Sequence, residues 1–173
     1  MHPTDNDQEF LQLIMNNKGI ILKIARLYCP DKADREDLAQ DIIYNLWRSA
    51  GRYNKEYRFS TWMYRVALNV AISFYREGRR RIALPLTDLP IAIEDAPDPS
   101  TGAERLAGLQ RCIQGLKEFD RALILLYFEE KSYQEMAEIM GISETNVATR
   151  LSRIKEKLKK CVQSKIELWT TRN

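Results

Sequence analysis

Histidine, cysteine, glycine and proline are all scarce in this chain of 173 residues, and each scarcity removes a class of function. The single histidine is His2, so ordinary histidine-based acid–base chemistry has no residue to run on. The three cysteines, Cys29, Cys112 and Cys161, are odd in number and far apart, with no C-x-x-C pair. That pattern argues against a zinc site or a disulfide framework, and reduced cytosolic thiols are expected. Seven glycines and six prolines are too few for a low-complexity protein. No apolar run approaches the roughly 18 residues that a membrane span needs, and no leader is recognisable. A soluble, cytoplasmic chain without membrane insertion is therefore expected. No phosphate-binding glycine loop, nucleophile–base pair or metal cluster can be picked out, so neither a metal, a cofactor nor an enzymatic activity is expected.

Apolar residues, by contrast, are plentiful at 45% of the chain. They recur mostly at helical spacing while strand-like alternation is scarce, which predicts an all-α protein. The charge is unevenly placed. Residues 1–82 carry 14 Lys and Arg against 10 Asp and Glu, and residues 105–173 carry 13 against 9. Between them, residues 83–104 hold 5 acidic residues and no basic one. Two basic blocks around an acidic strip suit two lobes facing a polyanion, although solvated surface charge would look the same.

Four of the prolines, Pro85, Pro90, Pro97 and Pro99, fall inside the acidic strip. Proline excludes a helix, so residues 83–100 are predicted to be an extended, flexible linker between two small helical domains, 1–82 and 101–173. In the first, one helical region should run from about Asp7 to Tyr28, with Phe10, Leu13, Ile14, Ile21, Ile24 and Ala25 as core, and stop at Pro30. Asp34 can cap a second helix with Leu38, Ile42, Ile43, Leu46 and Trp47 on one side. After a loop, Ser60 opens a third helix whose stripe is Trp62, Met63, Val66, Ala67, Val70, Ala71 and Phe74. In the second domain, helices are expected from Ser100 to about Leu116, from Asp120 to near Glu130, over Ser132–Met140 and over Ser143–Cys161.

The most specific local signal is Ser132 to Val147. Ser132 and Glu135 have capping-box spacing, Ala137 suits a close helix crossing, Gly141 suits a turn that needs positive φ, and Ser143 is a second N-cap. This is the pattern of a helix-turn-helix, whose second helix enters the major groove N-terminus first. Its exposed face should carry Thr145, Asn146, Thr149, Arg150 and Arg153, with Lys155, Lys157, Lys159 and Lys160 near phosphates. A helical hairpin that merely packs is the plain alternative.

The third helix of the first domain has a polar ridge as well: Thr61, Arg65, Asn69, Ser73, Arg76 and Arg80. Upstream, residues 53–62 (Tyr-Asn-Lys-Glu-Tyr-Arg-Phe-Ser-Thr-Trp) interleave aromatic and basic side chains. Rings for stacking, amides for base edges and cations for phosphates suit single-stranded nucleic acid. Phe59 and Trp62 fit a core as well, and Trp62 reads first as core. The second helix begins with Asp34, Glu36, Asp37 and Asp41, which suits a helix dipole; if that face is functional, it should meet protein rather than DNA.

Residues 34–47 followed by 59–71 resemble region 2 of the extracytoplasmic-function sigma factors, and residues 132–158 resemble their region 4. The resemblance spans about residues 10–162 in the right order. It implies a factor that binds core RNA polymerase, through the β′ clamp helices and the β subunit, and directs it to promoter DNA. It places Asp37, Leu38, Gln40, Asp41 and Asn45 on the polymerase-docking face. It assigns minus-ten recognition and melting to Tyr53, Lys55, Tyr57, Arg58, Phe59, Ser60, Thr61, Trp62, Arg65, Asn69, Arg76 and Arg80. Minus-35 recognition falls to Ser143, Glu144, Thr145, Asn146, Ala148, Thr149, Arg150, Arg153 and Lys157. An anti-sigma factor is implied as a further partner. Leu68 and Ser73 stand where the family often has Arg and Asp, and Ala148 where it is often basic, so the promoter sequence stays open. A DNA-binding regulator that never replaces a sigma factor would leave the first domain's loop and ridge unexplained. A helical protein-binding adaptor would show little salt dependence on DNA.

Overall fold

The computed structural model describes residues 5–81 and 102–170, with side chains over 8–78 and 106–163. The linker expected at 83–100 lies outside the described residues. Among the described residues there is no strand. The first lobe consists of α1 (Asp5–Asn16), α2 (Lys18–Tyr28), α3 (Lys32–Arg48), a 3-10 turn at Ala50–Arg52 and α4 (Phe59–Arg81). The second consists of α5 (Gly102–Gln114), α6 (Glu118–Phe128), α7 (Tyr133–Met140) and α8 (Glu144–Thr170).

The single first helix expected from the periodicity is two helices. The Asn17 side chain donates to the carbonyl of Leu13 (2.9 Å), and its backbone N–H reaches Ile14 at three-residue spacing (3.1 Å). This competition with the α-helical pattern breaks the rod at Asn17. The cap of α3 is Asp31 rather than Asp34: its carboxylate accepts from the amides of Ala33 (2.8 Å) and Asp34 (3.3 Å).

The core of the first lobe is narrower than the sequence suggested. In α3, Leu38, Ile42 and Leu46 are fully buried at four-residue intervals, and this stripe turns Trp47 outward to 47% exposure. Leu13 is likewise outside at 41%, while its neighbour Ile14 is buried. In α4, Met63, Ala67 and Ala71 are buried as expected, but so are Tyr64, Leu68 and Ile72. That second buried flank belongs to the joint between the lobes, because α4 also packs on α6 and α7.

In the second lobe, Val147, Leu151, Ile154 and Leu158 form a buried i, i+4, i+7, i+11 stripe along α8. It closes on Leu123, Leu126, Met136 and Ile139. The expectation of reduced thiols fails here. Cys112 of α5 and Cys161 of α8 form a disulfide with their Cα atoms 6.0 Å apart. Their separation of 49 residues hid the pairing, which the packing of α5 along α8 creates. Cys29 is a free, buried thiol, pushed up to about 11 by burial. No described helix is long and apolar enough to cross a membrane.

Candidate polymerase and nucleic-acid interfaces

The helix-turn-helix forms as its caps require. Ser132 Oγ accepts from the Glu135 amide (3.1 Å), and the Glu135 carboxylate accepts from the Ser132 amide (3.0 Å). The bond to the Ser132 backbone is the main reason the Glu135 carboxyl is held below the usual carboxylate range. Gly141 then turns the chain at φ 67°, a left-handed conformation that a side chain would strain. Ser143 Oγ accepts from the Asn146 amide (3.2 Å) and starts α8. Along α8, Ser143, Glu144, Thr145, Asn146, Thr149, Arg153 and Lys157 are exposed, and Ala148 is half-buried. These share the outer side of the helix.

Arg150, expected on the exposed DNA-facing side, keeps its side chain 42% exposed but is engaged within the protein. Its guanidinium pairs with buried Asp120 at the start of α6 (3.3 Å), lies 5.0 Å from the Phe119 ring centroid and donates to Asn146 Oδ1 (3.1 Å). Asp120 was read from sequence only as a helix start, and Phe119 was not picked out at all. Their only signal there was an acidic residue in the first turn of a helix, which dipole compensation already explains.

On α3, Asp37, Gln40 and Asp41 are exposed and make an acidic surface. Leu38 does not belong to it: at 0% exposure it anchors α3 to the core, so it has no side-chain surface to offer a partner. Asn45 is half-buried, donates to the Asp41 carbonyl (2.8 Å) and lines a recess with Arg48, Arg52 and Asn69. It therefore sits beside a residue assigned to minus-ten DNA.

The loop before α4 is preformed. Asn54 bonds the Glu56 side chain (2.8 Å) and accepts from its amide (3.0 Å), while the Tyr53 hydroxyl donates to the Tyr57 carbonyl (2.9 Å). Tyr53, Phe59 and Trp62 pack on one another and on Phe10, with ring centroids 5.3 to 6.4 Å apart. These rings are half-buried, with Ser60 and Thr61 half-buried beside them. Lys55, Tyr57 and Arg58 are exposed, as are Asn54 and Glu56 between and before them. Tyr53, Asn54, Tyr57, Thr61, Trp62 and Arg65 line a recess of about 380 Å³, with Glu138 of α7 at its edge. Further along α4, Arg65, Asn69, Ser73 and Arg76 are exposed, and the Arg80 side chain lies outside those described.

The two lobes meet along the flank of this ridge. Arg76 pairs with Glu118 (2.8 Å), and the Tyr28 hydroxyl donates to the Glu118 carbonyl (2.5 Å). Glu129 accepts from Lys23 (2.7 Å) and Tyr64 (3.0 Å). Burial works to raise the Glu129 pKa, but the bonds from Lys23 and Tyr64 outweigh it and hold the carboxyl below its ordinary value. Burial, reinforced by Glu129, raises the Tyr64 phenol well above its usual range. Arg121, itself buried, donates to the carbonyls of Leu116 (3.0 Å) and Gln114 and to the Tyr75 hydroxyl (3.0 Å). In consequence Arg65 faces Gln134, Glu138, Ser143 and Glu144 across one open cleft.

Residues 13–81 match the sigma-70 region 2 family, and residues 106–158 match sigma-70 region 4. The chain belongs to the extracytoplasmic-function sigma factors. It is 24% identical over 159 residues to the ECF RNA polymerase sigma factor SigM of Mycobacterium tuberculosis, covering 91% of this chain and 79% of that one. It is 27% identical over 154 residues to the probable RNA polymerase sigma factor RfaY of Xanthomonas campestris pv. campestris. That match covers 84% of this chain but only 38% of the longer relative. The fold is similar to the sigma factor RpoE of Bartonella quintana, solved with the anti-sigma factor NepR. The TM-score is 0.68 at 20% identity, over 90% of this chain and 98% of that one. As a sigma factor the chain serves promoter-directed transcription initiation, with core RNA polymerase and promoter DNA as its partners.

Proposed function

We propose that the sigma factor docks on the polymerase clamp through Asp37, Gln40 and Asp41 of α3, and presents α4 and the preceding loop to the minus-ten element. The first turns of α8 then face the minus-35 element. The observation that carries this reading is an acidic helix face and a basic ridge on one small lobe, with the helix-turn-helix on the other. DNA is repelled by the first surface and attracted by the second, so a single lobe can hold polymerase on one side and a strand on the other. The recess over Trp62 is of a size to receive an unstacked base, with Tyr57 exposed at its rim for stacking and Asn54 for hydrogen bonding.

Promoter engagement on this reading requires the lobes to part, because Arg65 of the minus-ten ridge and the start of α8 line one and the same cleft and cannot each face its own promoter element from there. An anti-sigma factor that held the lobes together would keep both surfaces from DNA. The relative in Bartonella quintana, solved with such a protein, supports that partner for this chain. The factor supplies no catalytic step of its own, needs no cofactor, and works in the cytoplasm where its polymerase is.

The test is retention of the full chain on core polymerase and open-complex formation on duplex and pre-melted promoters. Asp37→Lys with Asp41→Lys should lower retention at least tenfold while leaving duplex binding by the second lobe intact. Retention unchanged by the pair would remove α3 from the docking surface.

A further inference from the structure

The first turn of α8 holds an amide that is not free to turn. Asn146 has its backbone N–H fixed by Ser143 Oγ (3.2 Å) and its side-chain oxygen engaged by Arg150 Nε (3.1 Å). Arg150 in turn is immobilised from the second side by the Asp120 carboxylate (3.3 Å) and from a third by the Phe119 ring (5.0 Å). A guanidinium has donors and no acceptor. Turning the Asn146 amide over would set its NH₂ against the Arg150 N–H, donor facing donor. One orientation therefore remains, with Oδ1 toward Arg150 and Nδ2 toward the outside.

We propose that Arg150 is a positioning residue that sets base preference at one position of the upstream promoter element, by making Asn146 a hydrogen-bond donor toward the major groove. This rests on α8 being the helix that reads that element. An unconstrained asparagine pairs with adenine through both ends of its amide, accepting from N6 and donating to N7. With Oδ1 held from behind, Asn146 offers Nδ2 first, which suits the acceptors of guanine, adenine or thymine. Cytosine presents only its N4 donor there and is disfavoured. Asp120, 8% exposed, neutralises Arg150, so the guanidinium serves the amide instead of reaching for a phosphate.

The experiment is competition among duplexes randomised over the upstream element, bound by the full-length factor with core polymerase. The proteins are the unmodified chain, Asn146→Ala, Arg150→Met, Arg150→Lys and Asn146→Ala with Arg150→Met. Arg150→Met with Asp120→Asn removes both partners of the ion pair and guards against misfolding caused by an unpaired buried carboxylate. The unmodified factor should disfavour cytosine at one position by about five- to tenfold, the scale of one groove hydrogen bond. Asn146→Ala and both Arg150→Met proteins should lose that discrimination at the same position, with little change elsewhere. The Asn146 and Arg150 double substitution should lose no more than either single one. Arg150→Lys should relax the preference too, since an ammonium lacks the fixed guanidinium plane. Discrimination that survives in both Arg150→Met proteins, or losses that add, would overturn the positioning role alone. No preference anywhere in the element for the unmodified factor would remove α8 as its reader, and this proposal with it.

Discussion

The interior of each lobe and the joint between them are built from different chemistry. Inside the lobes, helices meet through aliphatic stripes such as Leu38, Ile42 and Leu46 or Val147, Leu151, Ile154 and Leu158. Across the joint, the described contacts pair Lys23 and Tyr64 with Glu129, Arg76 with Glu118 and Arg121 with Tyr75, beside a modest apolar flank of α4. Aliphatic burial carries no charge for salt to screen, whereas half-exposed ion pairs are screened within about 8–10 Å at ordinary ionic strength. The difference suits a factor whose lobes must stay folded while they change position.

That contrast can be broken most forcefully from the inside. Leu46→Ala in the first lobe or Leu126→Ala in the second should each cost about 2–5 kcal/mol. Urea denaturation should show both losses at low and at moderate sodium chloride alike. Reduction of Cys112–Cys161 comes next: releasing a covalent closure of this kind costs about 2–4 kcal/mol. Melting of the oxidised chain with and without a thiol reductant should show it as a lowered transition of the second lobe. Cys112→Ser should melt low under both conditions.

The joint should respond more weakly, in two grades. Arg121 is its buried charge, and Arg121→Met would remove its bond across the joint to Tyr75 and strand the Gln114 and Leu116 carbonyls of its own lobe, a cost of about 1–3 kcal/mol. Lys23–Glu129 is a partly exposed pair, and Glu129→Gln should cost no more than about 1 kcal/mol. The readout for both is inter-lobe distance by energy transfer, with Glu129→Gln shifting it toward the open form and removing part of its salt response. Acid offers a finer probe. The Glu129 carboxyl is held below its ordinary value in the closed form, so its contribution is present above the unfolded value and disappears as pH falls through the folded one. Opening on acidification should therefore set in as pH falls through the usual carboxylate range, be complete only below it, and be weaker in Glu129→Gln.

The parts readable from sequence are those whose signals are local. Ser132, Glu135, Gly141 and Ser143 announce the helix-turn-helix because a cap or a left-handed turn is decided within four residues. The ridge from Arg65 to Arg76 was readable from period alone. What stayed hidden depends on distant partners. Tyr64, Leu68 and Ile72 are buried by helices of the other lobe, and a one-sided stripe cannot reveal a second flank. Cys112 meets Cys161 only once α5 lies along α8. Leu38 was placed on a functional face by resemblance and Arg150 by the helix-turn-helix pattern, but burial claims the first and Asp120 engages the second.

Run-off transcription with purified core polymerase, with and without the factor, on a library of randomised promoters tests the central claim most directly. Factor-dependent transcripts should arise from templates sharing two separated upstream elements, and Asp37→Lys with Asp41→Lys should abolish them. Binding to duplex DNA through α8 with no factor-dependent transcript from any template would contradict the account and leave a DNA-binding regulator in its place.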